Sequence, residues 1–439
     1  MKDIKWIDEY IASLKPYIFV RTEDNVLIKR PNRMQKINPM GAKILDYLLK
    51  GNSILELEKQ LNDKKKMHDV LIFIEAFKGF MDGTINEFST NPSVLHESFK
   101  GSFSTLPVLS EFALSYRCNL SCKFCYAGCN TSCSQHANFK EVTHDEARQV
   151  IKLLWEDAKV PSISFTGGEP TLVPFLPDLV QYASQLGMRV NLITNGILID
   201  KRYASILKNA GLDSAQVSIE GPHAEIHNQL VGKEGAFERS VDALHNLQSE
   251  GIYTHCNTTL NAWNIALAKE MPSFVSGLGL ERFSMNIIIP VGSSDENASL
   301  NLSYTELEQH IRDVIRESNR HNVEFMWYSP MPLCIFNTIA EGLGNKGCAA
   351  CDGLISVAPD ASVLPCASCM DSVGNLLLDG FDDVWFGMSA MKYREKTLAH
   401  ANCKKCEEFN NCEGACFLYW NKLGYSELEN NILFNKNIL

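Results

Sequence analysis

Between residues 110 and 320, short β-prone runs alternate with amphipathic helical stretches, and this alternation sets the fold class. Candidate strands are 111–116, 162–165, 189–194, 215–219, 253–259 and 283–289. Between them, stretches such as 145–156, 176–186, 236–249 and 304–319 carry apolar residues at helical spacing. Six β–α repeats imply parallel strands joined by right-handed crossovers, an α/β class. A partial or open (β/α)6 barrel fits the pattern better than a sandwich. Ligands of such a barrel sit at the C-terminal ends of its strands.

Those strand ends carry the chemistry. Cys118-x3-Cys122-x2-Cys125 follows the first candidate strand directly. A loop at a strand end can hold three thiolates close together. Three ligands on a [4Fe–4S] cube leave one iron open to bind a substrate. Structural zinc is the alternative, although this spacing is less usual for it and a fourth ligand would be needed. The second strand ends in Thr166-Gly167-Gly168-Glu169-Pro170, the third in Thr194-Asn195-Gly196 and the fourth in Ser218-Ile219-Glu220-Gly221. Glycines admit a ligand close to the backbone, and Glu169 can accept a hydrogen bond from a ligand ammonium. Each turn alone only ends a strand; on one barrel face they form a candidate site.

Composition narrows the classes. The chain has 439 residues, enough for two to four domains, and a formal net charge of -11. That charge repels nucleic acid phosphates. No run of 18 apolar residues suggests a membrane span, and the acidic N-terminal residues do not read as a signal peptide. A cytoplasmic location is therefore expected. Of the 15 cysteines, five fall between Cys118 and Cys133, four between Cys348 and Cys369, and four between Cys403 and Cys416. In a reducing compartment, clustered thiols point to metal ligation rather than disulfides. Cys129 and Cys133 read as free loop thiols and Cys256 as core, while Cys334 could face substrate or core.

The stretch 110–320 resembles the radical S-adenosylmethionine (radical SAM) superfamily. Cys118, Cys122 and Cys125, with Phe124 before the last, match its cluster loop. Gly167, Gly168, Glu169 and Pro170 match its glycine–glycine–glutamate–proline motif, which in the family contacts the methionine amino group. By the same resemblance Thr194, Asn195, Ser218 and Glu220 fall where ribose and carboxylate contacts lie, and Ile289 falls near the adenine-contacting strand end. The resemblance implies that an open iron binds S-adenosylmethionine. Reductive cleavage then gives a 5′-deoxyadenosyl radical that takes a hydrogen atom from substrate. The protein mainly positions and shields such species. A reductant such as flavodoxin or ferredoxin is the implied electron donor. No catalytic acid or base can be singled out.

Downstream, Cys403-x2-Cys406-x5-Cys412-x3-Cys416 alone could be a zinc ribbon. With Cys348, Cys351, Cys366 and Cys369 upstream, it resembles the SPASM extension of peptide- and protein-modifying radical SAM enzymes, which carries two further [4Fe–4S] clusters. By that analogy Cys348, Cys351, Cys366 and Cys416 hold an inner cluster, and Cys403, Cys406 and Cys412 an outer one. Two departures stand out. Ala361 replaces a glycine of the pattern, and no cysteine follows Cys416. The outer cluster would then use Cys369, a carboxylate or an open iron, or the site is degenerate.

Residues 15–90 resemble the PqqD-like peptide-recognition domain, on Ile37-Asn38-Pro39-Met40-Gly41-Ala42 and the helices that follow. The implied fold is a winged helix–turn–helix with a three-stranded sheet, to whose edge a leader peptide adds as a strand. A DNA-binding helix–turn–helix is the alternative, with Lys64, Lys65 and Lys66 as its basic patch. The expected organisation is 1–95 leader recognition, 96–109 linker, 110–320 radical SAM domain and 321–439 SPASM-type domain. Together these resemble maturases that crosslink a ribosomally made precursor peptide through a carbon–carbon or thioether bond. A sulfatase-maturation-like oxidase or a haem-precursor modifier is the second reading, and a non-catalytic zinc or iron–sulfur protein the third.

Overall fold

A computed structural model describes residues 4–82, 104–129 and 140–433. Cys133 and most of the expected linker lie outside the described residues. The chain divides into two compact units, Met1–Val108 and Leu109–Leu439.

In the first unit, α1 (Trp6–Leu14) precedes an antiparallel meander of β1 (Ile18–Arg21), β2 (Val26–Lys29) and β3 (Arg33–Lys36), ordered β1-β2-β3. Three helices follow: α2 (Pro39–Leu49), α3 (Ile54–Leu61) and α4 (Lys64–Met81). Asn38 starts α2, its side chain accepting from Gly41 N–H at 2.7 Å with Pro39 at the first turn. Ile11, Leu45, Phe73 and Phe77 belong to the shared apolar core. Neither α1 nor β3 was expected from pattern. Arg33-Met34-Gln35-Lys36 contains no β-branched residue, so its strand conformation comes from pairing with β2 rather than from propensity.

The second unit is built on a ten-stranded sheet, ordered β10-β9-β8-β7-β6-β5-β4-β11-β12-β13. Its parallel part runs β4 (Leu109–Ser115), α5 (His144–Glu156), β5 (Ser162–Gly167), α6 (Leu176–Leu186), β6 (Arg189–Thr194), α7 (Lys201–Ala210) and β7 (Ser214–Ser218). It continues through α8 (Ala224–Val231), α9 (Ala236–Ser249), β8 (Tyr253–Leu260), α10 (Met271–Gly277), β9 (Arg282–Ile287), α11 (Tyr304–His321) and β10 (Glu324–Trp327). Thr143 with Glu146, and Ser303 with Glu306, form reciprocal capping boxes that start α5 and α11. All six expected strands are present. A seventh, β10, extends the parallel run past residue 320 by pairing with β9.

Alternation along the strands decides what faces the barrel interior. Val190 and Leu192 of β6 are fully buried, whereas Asn191 and Ile193 on the other face are half-buried. The interior is polar: Asn191 Nδ2 donates to Ser164 Oγ at 3.2 Å, and Asn257 Nδ2 to Asn286 Oδ1 at 2.8 Å. Cys256, on the outward face of β8, is fully buried core.

β11 (Leu354–Val357), β12 (Ser362–Leu364) and β13 (Gly374–Asn375) carry the C-terminal region. β11 pairs parallel to β4, joining this region to the barrel sheet, and forms the expected hairpin with β12. The short helices α12 (Phe381–Trp385), α13 (Met388–Arg394), α14 (Phe409–Cys412), α15 (Phe417–Leu423) and α16 (Ser426–Glu429) follow. Ala361 in the hairpin turn has φ +67°, the left-handed region that favours glycine. Ala361→Gly is therefore expected to stabilise the protein by about 0.5–1 kcal/mol, the relief of Cβ strain exceeding the entropic cost of glycine. An unchanged or lowered denaturation midpoint would show that the turn is unstrained.

Candidate active site

The loop after β4 is fixed at several points. Ser121 and Lys123 N–H donate to Val231 and Leu230 carbonyls at the end of α8, at 3.1 and 2.9 Å. Ser293 N–H donates to Cys125 O at 2.8 Å, and Asn297 Nδ2 to Lys123 O at 3.2 Å. The loop is thereby strapped across the barrel mouth. Cys118, Cys122 and Cys125 line one cavity of about 430 Å³. Gly167, Gly168, Thr194, Asn195, Ser218, Glu220 and Ile289 line the same cavity, at the C-terminal strand ends where sequence placed them.

Glu169 and Pro170 do not line it; both are buried behind the wall. Glu169 Oε1 accepts from Thr171 N–H at 3.0 Å, Thr171 Oγ1 at 2.6 Å and Thr194 Oγ1 at 2.7 Å; its Oε2 accepts from Asn195 N–H at 2.8 Å. Four donors occupy most of what one carboxylate can accept. Glu169 thereby ties the end of β5 to the end of β6. The two glycines before it answer a backbone demand. A Cβ on Gly167 would sit 2.3 Å from Ser115 O, and one on Gly168 2.3 Å from Arg117 O. Gly168 and Glu169 N–H instead donate to those carbonyls, at 2.7 and 2.9 Å. The motif thus clamps the root of the cysteine loop while baring its backbone to the cavity.

The donor set suits a cationic cluster. Burial pushes the Cys118 thiol up to about 11 and Cys122 well above the ordinary thiol range, and the neighbouring Cys125 charge adds to both. A bound metal centre is what ionises such a set outright. Cys125 is drawn down, chiefly by a hydrogen bond from the Cys129 thiol. Cys129 thus belongs to the cavity wall.

Two lining residues carried no sequence signal. His227 sits in the ordinary amphipathic pattern of α8. Burial lowers it to about 4, so it is neutral at pH 7. Its Nδ1 accepts from Glu220 N–H at 3.0 Å, which puts the proton on Nε2. That buried Nε2 has no hydrogen-bond partner among the described residues. A ligand acceptor in the cavity would satisfy it. Glu111, read only as the start of a strand, is half-buried in the cavity wall, pushed up by desolvation, and accepts from Ser356 Oγ at 2.5 Å. It lines the same cavity as the thiols. Glu220 is pushed up by burial to about 8, partly offset by Thr259 N–H, which donates to it at 2.9 Å.

The C-terminal thiols form two groups. Cys366 feels the charges of Cys348, Cys416 and Cys369, and Cys351 those of Cys348 and Cys369. Cys351 N–H donates to Pro365 O at 3.1 Å, and Cys369 N–H to Cys366 O at 3.0 Å. The structure therefore places Cys369 with the inner set, held by the turn it shares with Cys366, and not with the outer one. Cys403 feels Cys412 and Cys406, which make up the outer group. Cys366, with Ala367 and Ser368, also lines the first cavity, so one space runs from the cysteine loop to the inner group.

Sequence comparison agrees with this division. The Radical SAM superfamily profile matches residues 112–264, and that of an iron-sulfur cluster-binding domain, SPASM, matches 348–407. An AdoMet-dependent heme synthase from Oleidesulfovibrio alaskensis is 27% identical over 322 residues, 70% of this chain and 81% of that protein. Mycofactocin maturase MftC from Mycobacterium tuberculosis is 26% identical over 316 residues, 71% and 78% of the two chains. Streptococcus suis SuiB, in a crystal structure bound to precursor peptide SuiA, shares the fold with TM-score 0.70 and 16% identity, covering 93% of this chain and 96% of that one. The chain carries a radical SAM domain over 112–264 and a SPASM iron–sulfur domain over 348–407, the domains of an enzyme whose cofactors are [4Fe–4S] clusters and S-adenosylmethionine.

Proposed function

We propose that the protein is a maturase that crosslinks a ribosomally made precursor peptide, through a carbon–carbon or thioether bond. The observation that carries this reading is the single cavity reaching from the Cys118 loop to Cys366 of the inner group. A substrate segment in that space lies beside both metal sites at once. When bound, a cluster on Cys118, Cys122 and Cys125 and its S-adenosylmethionine supply the reductive chemistry that starts hydrogen abstraction. The residues of the chain do the rest. Gly167 and Gly168 bare backbone to the methionine end. Thr194, Asn195, Ser218 and Glu220 offer polar contacts deeper in the barrel, and Ile289 an apolar one. Glu111 is placed to take up or release a proton as the crosslink forms. The inner group, on Cys348, Cys351, Cys366 and Cys416, is placed to take the electron left over. An external donor such as flavodoxin or ferredoxin supplies the first one.

In this reading residues 1–95 are a PqqD-like winged helix–turn–helix, and a leader peptide adds as a strand to an edge of the β1-β2-β3 sheet. Support comes from the three antiparallel strands followed by helices. The likeness to SuiB also extends beyond the second unit into the first. Among the described residues, no helix is long and apolar enough to cross a membrane. A haem-precursor substrate is the second reading, favoured by the similarity to heme synthases.

Deleting residues 1–95 is expected to weaken binding of a cognate precursor peptide at least tenfold in Kd, while basal S-adenosylmethionine cleavage persists. Undiminished precursor binding would remove the leader-recognition role. Turnover of an iron-porphyrin precursor, with none of any peptide, would favour the second reading.

A further inference from the structure

The outer thiol group, Cys403, Cys406 and Cys412, offers three thiols, and a closed four-iron cluster takes four ligands. A thiol arrives from another direction. After β10 the chain passes through Pro330 and Pro332. Met331 N–H donates to Lys346 O at 3.1 Å, and Ile335 and Phe336 N–H both donate to Pro332 O, at 2.9 and 3.0 Å. These bonds wind residues 332–336 into one turn. Phe336 anchors it, fully buried with the Arg312 guanidinium 5.1 Å from its ring centre.

The turn is seated on the outer group. Leu333 N–H donates to Cys412 Sγ at 3.5 Å, and the Cys412 thiol reaches Met331 O at 4.0 Å. Cys334 is the next residue. On the other side, Cys406 N–H donates to Cys403 O at 3.0 Å and Phe409 N–H to Cys406 O at 3.1 Å, which sets those thiols on consecutive turns. The turn that carries Cys334 is therefore seated against Cys412 of the outer group. Two other candidates for the fourth place are engaged elsewhere: Cys369 sits in the inner group, and the Glu413 carboxylate pairs with Lys396 Nζ at 3.1 Å.

We infer that Cys334 is the fourth ligand of the outer auxiliary cluster, completing Cys403, Cys406 and Cys412. The inference rests on the reading that these three cysteines hold a cluster. It has a functional consequence. A cube with four thiolates has no open iron, so the outer cluster passes electrons and does not bind substrate. Its ligand from the barrel rim also joins the outer cluster to the end of β10, and the Leu333 N–H to Cys412 bond helps set its potential.

The test uses the full chain carrying Cys118→Ala, Cys122→Ala and Cys125→Ala, so that only auxiliary clusters remain. After anaerobic reconstitution, iron is expected at about eight per chain, two four-iron clusters. Adding Cys334→Ala should lower this by one to four irons and change the outer-cluster signal in Mössbauer and electron paramagnetic resonance spectra, the inner signal staying. Cys334→Ser should keep the iron and shift the reduction potential of one cluster only. If Cys334→Ala disturbs folding, and the inner signal is lost too, the serine variant decides. Iron content and both signals unchanged in the two variants would overturn the assignment. A triple variant that holds no iron at all would overturn it together with the SPASM reading beneath it.

Discussion

Gly168→Ala is expected to reduce S-adenosylmethionine cleavage by about a hundredfold, the scale of an ångström-sized misplacement of reacting groups. The new Cβ would stand 2.3 Å from Arg117 O, a backbone atom one residue before Cys118. Backbone cannot swing aside as a side chain does, so the loop root must shift and the three thiols with it. Overpacking of this kind costs about 1–3 kcal/mol, so the fold should survive. Cleavage within twofold of the parent would mean that the loop root moves without moving the cluster. The iron content of the variant separates loss of the cluster from misplacement of the cofactor.

Lys396→Met is expected to destabilise the protein by about 3–5 kcal/mol, as breaking a buried ion pair from one side does. Lys396 is buried between Asp352 and Glu413, 3.4 and 3.1 Å from their carboxylates, and its ammonium donates to Cys348 O. Burial alone would lower its pKa. The charges of Cys348, Glu413 and Asp352 outweigh burial and hold it above its ordinary value. Removing it takes the counter-charge from Glu413 and leaves Asp352 only the charge of Arg394, beside the inner thiol group. Urea unfolding of the reconstituted protein measures the loss, and adding Glu413→Gln should recover part of it. A cost below about 1 kcal/mol would place this network among weak surface pairs.

Much of the fold was legible because β–α periodicity and strand-end chemistry are local. The strand at 189–194 and the helices at 176–186 and 236–249 fall where their apolar spacing put them. β10 was not legible, since Glu324-Phe-Met-Trp327 is too short to show a period and forms by pairing with β9. At the site, sequence marked residues whose spacing is chemical and missed those whose placement is tertiary. Glu169 looked like a ligand-facing acid because its motif ends a strand, yet four donors turn it into the wall. His227 and Glu111 look like ordinary helix and strand residues and come to line one cavity only through the tertiary fold. Cys334 has no metal-like spacing to any neighbour. A turn seated on Cys412 brings it into range.

The central claim is that Cys118, Cys122 and Cys125 hold the cluster at which S-adenosylmethionine is cleaved. The direct measurement is 5′-deoxyadenosine formed by the anaerobically reconstituted full chain with reductant, compared with the variant carrying alanine at all three positions. The account predicts formation by the parent chain and a fall to background in the variant. No product from an iron-loaded parent chain, or equal product from the variant, would contradict it.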